Sequence, residues 1–150
     1  MILTNKKEQT RFLRFMAVGI FGAIIDFGIF NLLHDLISIP FLIAQAISFT
    51  LAVISNFIWN RYWTYPDSRS KPISRQLVQF FVVNIIGLLI RTELINGLHN
   101  VFIQAATTIV HGGFLSPDII GNNAALATAI IVVMLWNFIV NRYWTYNDVD

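Results

Sequence analysis

The sequence predicts an all-α integral membrane protein, a four-helix bundle made of two parallel helix-pair repeats with both termini cytoplasmic. Three observations lead there. The chain is 56% apolar and only 12% charged, with mean hydropathy +0.65, whereas about a quarter of the residues in a soluble domain carry charge. Four separate apolar stretches each approach the roughly 20 residues needed to cross a hydrocarbon core of about 30 Å. One decapeptide occurs twice, NFIWNRYWTY from Asn56 and NFIVNRYWTY from Asn137, with one residue different.

The apolar stretches place spans at residues 15–33, 41–59, 77–95 and 119–140. Their β-branched residues would weaken a helix in water, but in lipid every backbone group must be bonded within the segment, so helix prevails. Ser38 with Pro40, and Ser116 with Pro117, supply a capping hydroxyl and a first-turn proline ahead of the second and fourth spans. Pro66 and Pro72 bracket a polar loop, PDSRSKPIS, between the two helix pairs. The stretch from His99 to Ser116 is too long for a tight turn and too polar for a fifth span, so it is expected to be interfacial or partly re-entrant.

The ten basic residues set the orientation. Lys6, Lys7, Arg11 and Arg14 precede the first span, Arg61, Arg69, Lys71 and Arg75 lie between the second and third, and Arg142 follows the fourth. Arg91 alone lies inside a span, so the positive-inside rule puts both termini and the central loop in the cytoplasm, as in a bacterial inner membrane. The first stretch is longer than a signal-peptide core and lacks a clear small-residue cleavage site, so it is expected to remain in the membrane. There is no cysteine, hence no thiolate metal site.

The decapeptides stand 81 positions apart, each where an even-numbered span reaches the cytoplasm. The odd spans match as well: RFMAVGIFGAIID from Arg14 aligns with QFFVVNIIGLLIR from Gln79, pairing Phe15 with Phe80, Gly22 with Gly87 and Asp26 with Arg91. The repeats run over residues 11–67 and 75–148. A unit of two helices brings the second repeat into the membrane in the same direction as the first, so these are parallel rather than inverted repeats.

Within each decapeptide, helical spacing puts Asn56, Asn60 and Trp63 on one face, and likewise Asn137, Asn141 and Trp144. Arg61 and Arg142, beside Tyr and Trp, suit a lipid phosphate or the anionic lipids of the cytoplasmic face. An aromatic and basic anchor that merely ends a span accounts for these residues too, although it leaves the paired asparagines unexplained. Buried amides also serve as interhelical glue.

The order Asn-Arg-Tyr-Trp-Thr-Tyr at the ends of two spans, together with RFMAVGIFGAIID at the first, resembles the GtrA-like family of small four-span membrane proteins. The resemblance covers nearly everything from Arg11 to Tyr146, with Tyr65 and Tyr146 where the family commonly has Phe. It implies movement of a polyprenyl-phosphate-linked monosaccharide from the inner to the outer leaflet for cell-envelope polysaccharide glycosylation, with a separate glycosyltransferase as partner.

Charges inside the spans give a second set of candidates. Asp26, Arg91 and Glu93 are each costly in hydrocarbon, by about 2.5–3.5 kcal/mol for Asp or Arg at midplane, and should face protein or water. Matched depth allows an Asp26–Arg91 pair, either structural or part of a polar path. Gly19 and Gly22 on one helix and Asn84 and Gly87 on the other would permit close approach. Glu93 lies about 200° around the helix from Arg91 and needs another partner, a second subunit, a water-filled groove or a sugar hydroxyl, unless it reaches the surface. Gln45, Ser48, Ala52, Ser55 and Asn56 form a small polar stripe, which reads either as a path or as a packing seam.

No phosphate-binding Gly-rich loop, no His or Cys cluster at metal-ligand spacing and no supportable Ser-His-Asp set is present, and His34, His99 and His111 stand apart. No catalysis, cofactor or nucleic-acid partner is expected. The leading expectation is a flippase for polyprenyl-phosphate sugar. The alternatives are a membrane adaptor for a polyprenyl-dependent glycosyltransferase and a proton-coupled exporter using Asp26 or Glu93. Four helices enclose little room for a sugar phosphate, which makes a homodimer reasonable.

Overall fold

The computed structural model describes residues 5–109 and 116–149, and among these every regular element is helical. Helix α1 spans Lys6–Asn31, α2 Phe41–Trp59, α3 Ile73–Ile109 and α4 Pro117–Val140. All four are long and apolar enough to cross a membrane. Phe27, Leu42 and Leu89 are exposed, which water would punish and lipid tolerates.

Local chemistry explains the boundaries. Asn5 caps α1, its Oδ1 accepting from the Lys7 N–H at 3.0 Å, and Glu8 sits in the first turn, where the helix dipole favours an anion. The helix ends in a π-helical turn, Leu32–Leu36, after which Ser38 adopts a positive φ of 60°. His34 closes this end through a 3.0 Å contact from Nδ1 to the Ile39 carbonyl, a tilted ring contact with Phe30 and an edge-on one with Phe41. Helix α2 keeps the limits expected from sequence, but Pro40 is its cap and no side chain bonds there, so Ser38 is a turn residue and not the expected cap. Ser116 does cap α4, its Oγ accepting from the Ile119 N–H at 3.3 Å.

The stretch after His99 is the main correction. The third helix continues unbroken through Ile109, where an interfacial or re-entrant segment was expected. Its polar residues do not oppose a helix, because the Thr107 and Thr108 hydroxyls each donate to carbonyls of their own helix at 2.7 Å. Residues 110–115, His111 included, lie outside the described residues. At 37 residues α3 is about 55 Å long, well beyond the hydrocarbon core.

The chain falls into two compact units, residues 1–81 with 141–150, and residues 82–140. In the first, α1 and α2 meet along a buried seam of Phe15, Val18 and Gly22 on one side and Ala44, Ser48, Ala52, Val53 and Phe57 on the other. An alanine Cβ at Gly22 would overlap the Asn56 side chain, whereas Gly19 faces open space. In the second unit Gly87 would likewise meet the Asn137 side chain, and the Trp136 indole donates to the Val83 carbonyl at 3.2 Å. Gly121, Ala125 and Ala129 are buried at four-residue spacing on α4, a pattern that lets helices pack closely in lipid. A Cβ at Gly121 would lie 2.5 Å from the backbone nitrogen of Ile103. Backbone cannot step aside as a side chain does, so Gly121→Ala is expected to lose about 1–3 kcal/mol. Unfolding in detergent checks this; a stability equal to wild type contradicts the close approach.

Candidate functional site at the basic end of the first unit

Each NRYWT segment forms a π-helical turn, Asn60–Thr64 after α2 and Asn141–Thr145 after α4, closed by the same bond: Tyr65 N–H to the Asn60 carbonyl and Tyr146 N–H to the Asn141 carbonyl, both 2.8 Å. Single π-turns recur at functional sites. The two closing tyrosines are fully buried and stack on each other, ring centroids 4.4 Å apart and planes 17° apart, with Phe80 packed edge-on to Tyr146.

The wider turn splits the face expected from sequence. Asn60 is 2% exposed and Asn141 fully buried, while Trp63 and Trp144 are each 42% exposed. An ordinary helical turn would have kept each asparagine and tryptophan together. Asn56 and Asn137, also expected among the headgroup ligands, are the side chains that a Cβ at Gly22 or Gly87 would meet.

Around the stack the charges are arranged in detail. Glu8 lies 3.1 Å from Arg142 Nε and 2.5 Å from Arg11 Nη1, and Arg11 Nη2 reaches Asp67 at 2.7 Å. Lys7 approaches Asp67 at 3.4 Å. Asp148 accepts from the Ser68 and Ser70 hydroxyls at 2.5 and 2.8 Å. Partial desolvation opposes the charge on Asp148, but these bonds outweigh it and hold its carboxyl below the ordinary carboxylate range. Arg61 is buried, 5% exposed, and its Nε and Nη1 have no hydrogen-bond partner.

Burial, reinforced by Glu8, pushes the Tyr65 phenol well up, and burial with the neighbouring Tyr65 does the same for Tyr146. The fold thus keeps both phenols neutral where an unfolded chain would ionise them. Their contribution is complete below about pH 10 and is lost as pH rises beyond it. Alkaline titration should show these two ionising only in step with loss of structure, a coupling that the Tyr65→Phe, Tyr146→Phe double variant removes. Ionisation ahead of unfolding contradicts the burial.

Two hollows adjoin on the α1–α2 side. One, of about 420 Å³, is lined by Lys7, Thr10, Arg11, Arg14, Thr64, Pro66 and Asp67. The other, of about 310 Å³, is apolar, lined by Ala17, Val18, Phe21, Trp59 and Trp63. Arg14 joins them, donating to the Trp63 carbonyl at 2.9 Å and lying 5.5 Å from the Trp63 ring centre. From the sequence, Lys7, Arg11 and Arg14 are orientation charges only; their three- and four-residue spacing is the signal that they share a face with Ala17, Val18 and Phe21.

The remaining candidates fall in both units. Asp26 and Gln45 share a third hollow of about 390 Å³ with Ala23, Phe27, Phe30 and Phe41, and Asp26 Oδ1 is buried with no hydrogen-bond partner. Ala23, Asp26 and Phe27 lie about half a turn around α1 from Ala17, Val18 and Phe21, so this is a separate hollow. Ser48 is fully buried and donates to the Gln45 carbonyl of its own helix at 3.2 Å, as a seam residue does. In the second unit Arg91 and Glu93 are exposed.

Comparison with known proteins bears on this arrangement. The profile of the GtrA/DPMS transmembrane domain matches residues 14–146. The chain belongs to that family. It is also 30% identical over 143 residues to the uncharacterized membrane protein YngA of Bacillus subtilis, covering 95% of this chain and 84% of that one. With the dolichol-phosphate mannosyltransferase of Pyrococcus furiosus it shares 31% identity over 83 residues, 55% of this chain but only 23% of the mannosyltransferase. This family member is therefore an integral membrane protein with four spanning helices.

Proposed function

We propose that this protein binds a polyprenyl-phosphate-linked monosaccharide at its basic end and moves it from the inner to the outer leaflet of the bacterial cytoplasmic membrane, without itself catalysing glycosyl transfer. The observation that carries this reading is the adjacency of the cationic and apolar hollows, joined by Arg14 and Trp63. A prenyl phosphate has that same division, an anionic head on an apolar chain, and guanidinium groups pair well with phosphate oxygens. The GtrA/DPMS family and the mannosyltransferase relative support a place in polyprenyl-phosphate sugar metabolism. The positive-inside rule sets the basic end in the cytoplasm.

A second reading, an adaptor that holds a glycosyltransferase at the membrane, is favoured by one fact: in the Pyrococcus protein the matching region is a minor part of a chain named as a mannosyltransferase. Both readings place a lipid phosphate at the basic end; only the first requires movement.

A photoreactive prenyl phosphate tests the binding. It should label Phe21, Trp59 or Trp63 in membranes, and excess polyprenyl-phosphate sugar should suppress the labelling. Labelling spread evenly over all exposed helix faces contradicts the site.

A further inference from the structure

The two NRYWT turns are identical in sequence and alike in backbone, yet their polar groups are answered differently. At the second, Arg142 Nε meets both Glu8 oxygens at 3.1 and 3.2 Å, and the Thr145 hydroxyl donates to Asn141 Oδ1 at 2.8 Å. At the first, Arg61 Nε and Nη1, Thr64 Oγ1 and Asn60 Oδ1 are all buried without a hydrogen-bond partner. Among the described residues no carboxylate lies in ion-pair range of Arg61.

The sequence accounts for the difference. The alignment that pairs Phe15 with Phe80 carries Glu8 onto Ile73, Arg11 onto Gln76 and Arg14 onto Gln79. The start of α1 therefore offers a carboxylate to Arg142, while the start of α3 offers an isoleucine at the place matching Glu8. Gln76 and Gln79 are buried with their Oε1 atoms unpartnered, so the amides that replace two arginines do not neutralise Arg61. Native proteins answer buried charges with opposite charge and hydrogen bonds. Among the described residues Arg61 has no carboxylate in range and its Nε and Nη1 have no hydrogen bond, and Thr64, three residues on, forms part of the wall of the basic hollow.

We infer that Arg61 is the seat of a single phosphate group per chain, and that Glu8 fills at Arg142 the place that phosphate takes at Arg61. Arg61 Nε and Nη1 and the Thr64 hydroxyl supply donors for the phosphate oxygens, and Asn60 Oδ1 supplies an acceptor for a hydroxyl beside it. The lipid that carries this phosphate rests on the proposed function; the seat itself asks only for an oxyanion.

The test adds the missing carboxylate. Ile73 is exposed and is the first residue of α3, where an acidic side chain suits the helix dipole, so Ile73→Glu should fold. Binding of farnesyl phosphate, inorganic phosphate and phosphatidylglycerol is measured on the full chain in detergent, with thermal unfolding as the folding control. Ile73→Glu and Arg61→Gln should weaken farnesyl phosphate binding at least about tenfold, the size of a lost charge-assisted hydrogen bond, whereas Ile73→Gln and Arg142→Gln stay within about twofold of wild type. Farnesyl phosphate binding that ignores Ile73→Glu and Arg61→Gln overturns the seat and leaves the proposed function standing. Inorganic phosphate bound with that sensitivity, but no farnesyl phosphate, keeps the seat and overturns the lipid-linked reading; phosphatidylglycerol bound as tightly as farnesyl phosphate assigns the seat to bulk lipid and overturns that reading too. A rise in melting temperature in Ile73→Glu with no oxyanion bound by wild type overturns both.

Discussion

Replacing Glu8 by alanine is expected to destabilise the protein by about 2–4 kcal/mol, between the range for exposed pairs and that for removing one partner of a buried ion pair. Glu8 is 12% exposed at its side chain and lies between two guanidiniums, Arg142 at 12% and Arg11 at 4%. Arg11 keeps Asp67 after the change, but Arg142 is left as a part-buried cation with no carboxylate in ion-pair range among the described residues. Combining Glu8→Ala with Arg142→Gln should therefore cost less than the sum of the two single changes, because the stranded charge is gone. Unfolding followed by tryptophan fluorescence in detergent measures both; a single-variant loss below about 1 kcal/mol, the range for exposed pairs, contradicts the buried pair.

Tyr146→Ala should cost a similar amount, about 3–5 kcal/mol, as is usual when a buried aromatic ring is removed. The ring is fully buried against Tyr65 and Phe80, so its loss leaves a hole where the two NRYWT turns meet. Tyr146→Phe is expected to be neutral or stabilising, since the Tyr146 hydroxyl is buried with no hydrogen-bond partner and its removal loses no bond. If the phenylalanine variant were destabilised as strongly as the alanine variant, the hydroxyl would be the group that matters and the stacking account would fail.

These cases show what sequence could and could not reach. The spans were legible because hydropathy and chain length are local properties: α2 runs from Phe41 to Trp59, as expected. The end of α3 was not, because the polarity of residues such as Thr107 and Thr108 hides the fact that their hydroxyls bond within the helix. The decapeptide was visible as a repeat, but its π-helical backbone was not, and that backbone decides that Asn60 turns inward while Trp63 stays out. The role of Glu8 is hidden from sequence for a different reason. Its partner Arg142 lies 134 positions away, beyond any spacing rule. Without that contact the two arginines look equivalent, and with it they differ.

The measurement closest to the central claim is transbilayer movement of a polyprenyl-phosphate sugar in liposomes that carry the purified protein, set against empty vesicles and against folded Arg61→Gln and Arg142→Gln variants. Movement faster than in empty vesicles, lost in Arg61→Gln and retained in Arg142→Gln, is the predicted result. Binding of the lipid with movement no faster than in empty vesicles contradicts translocation and leaves the adaptor reading in its place.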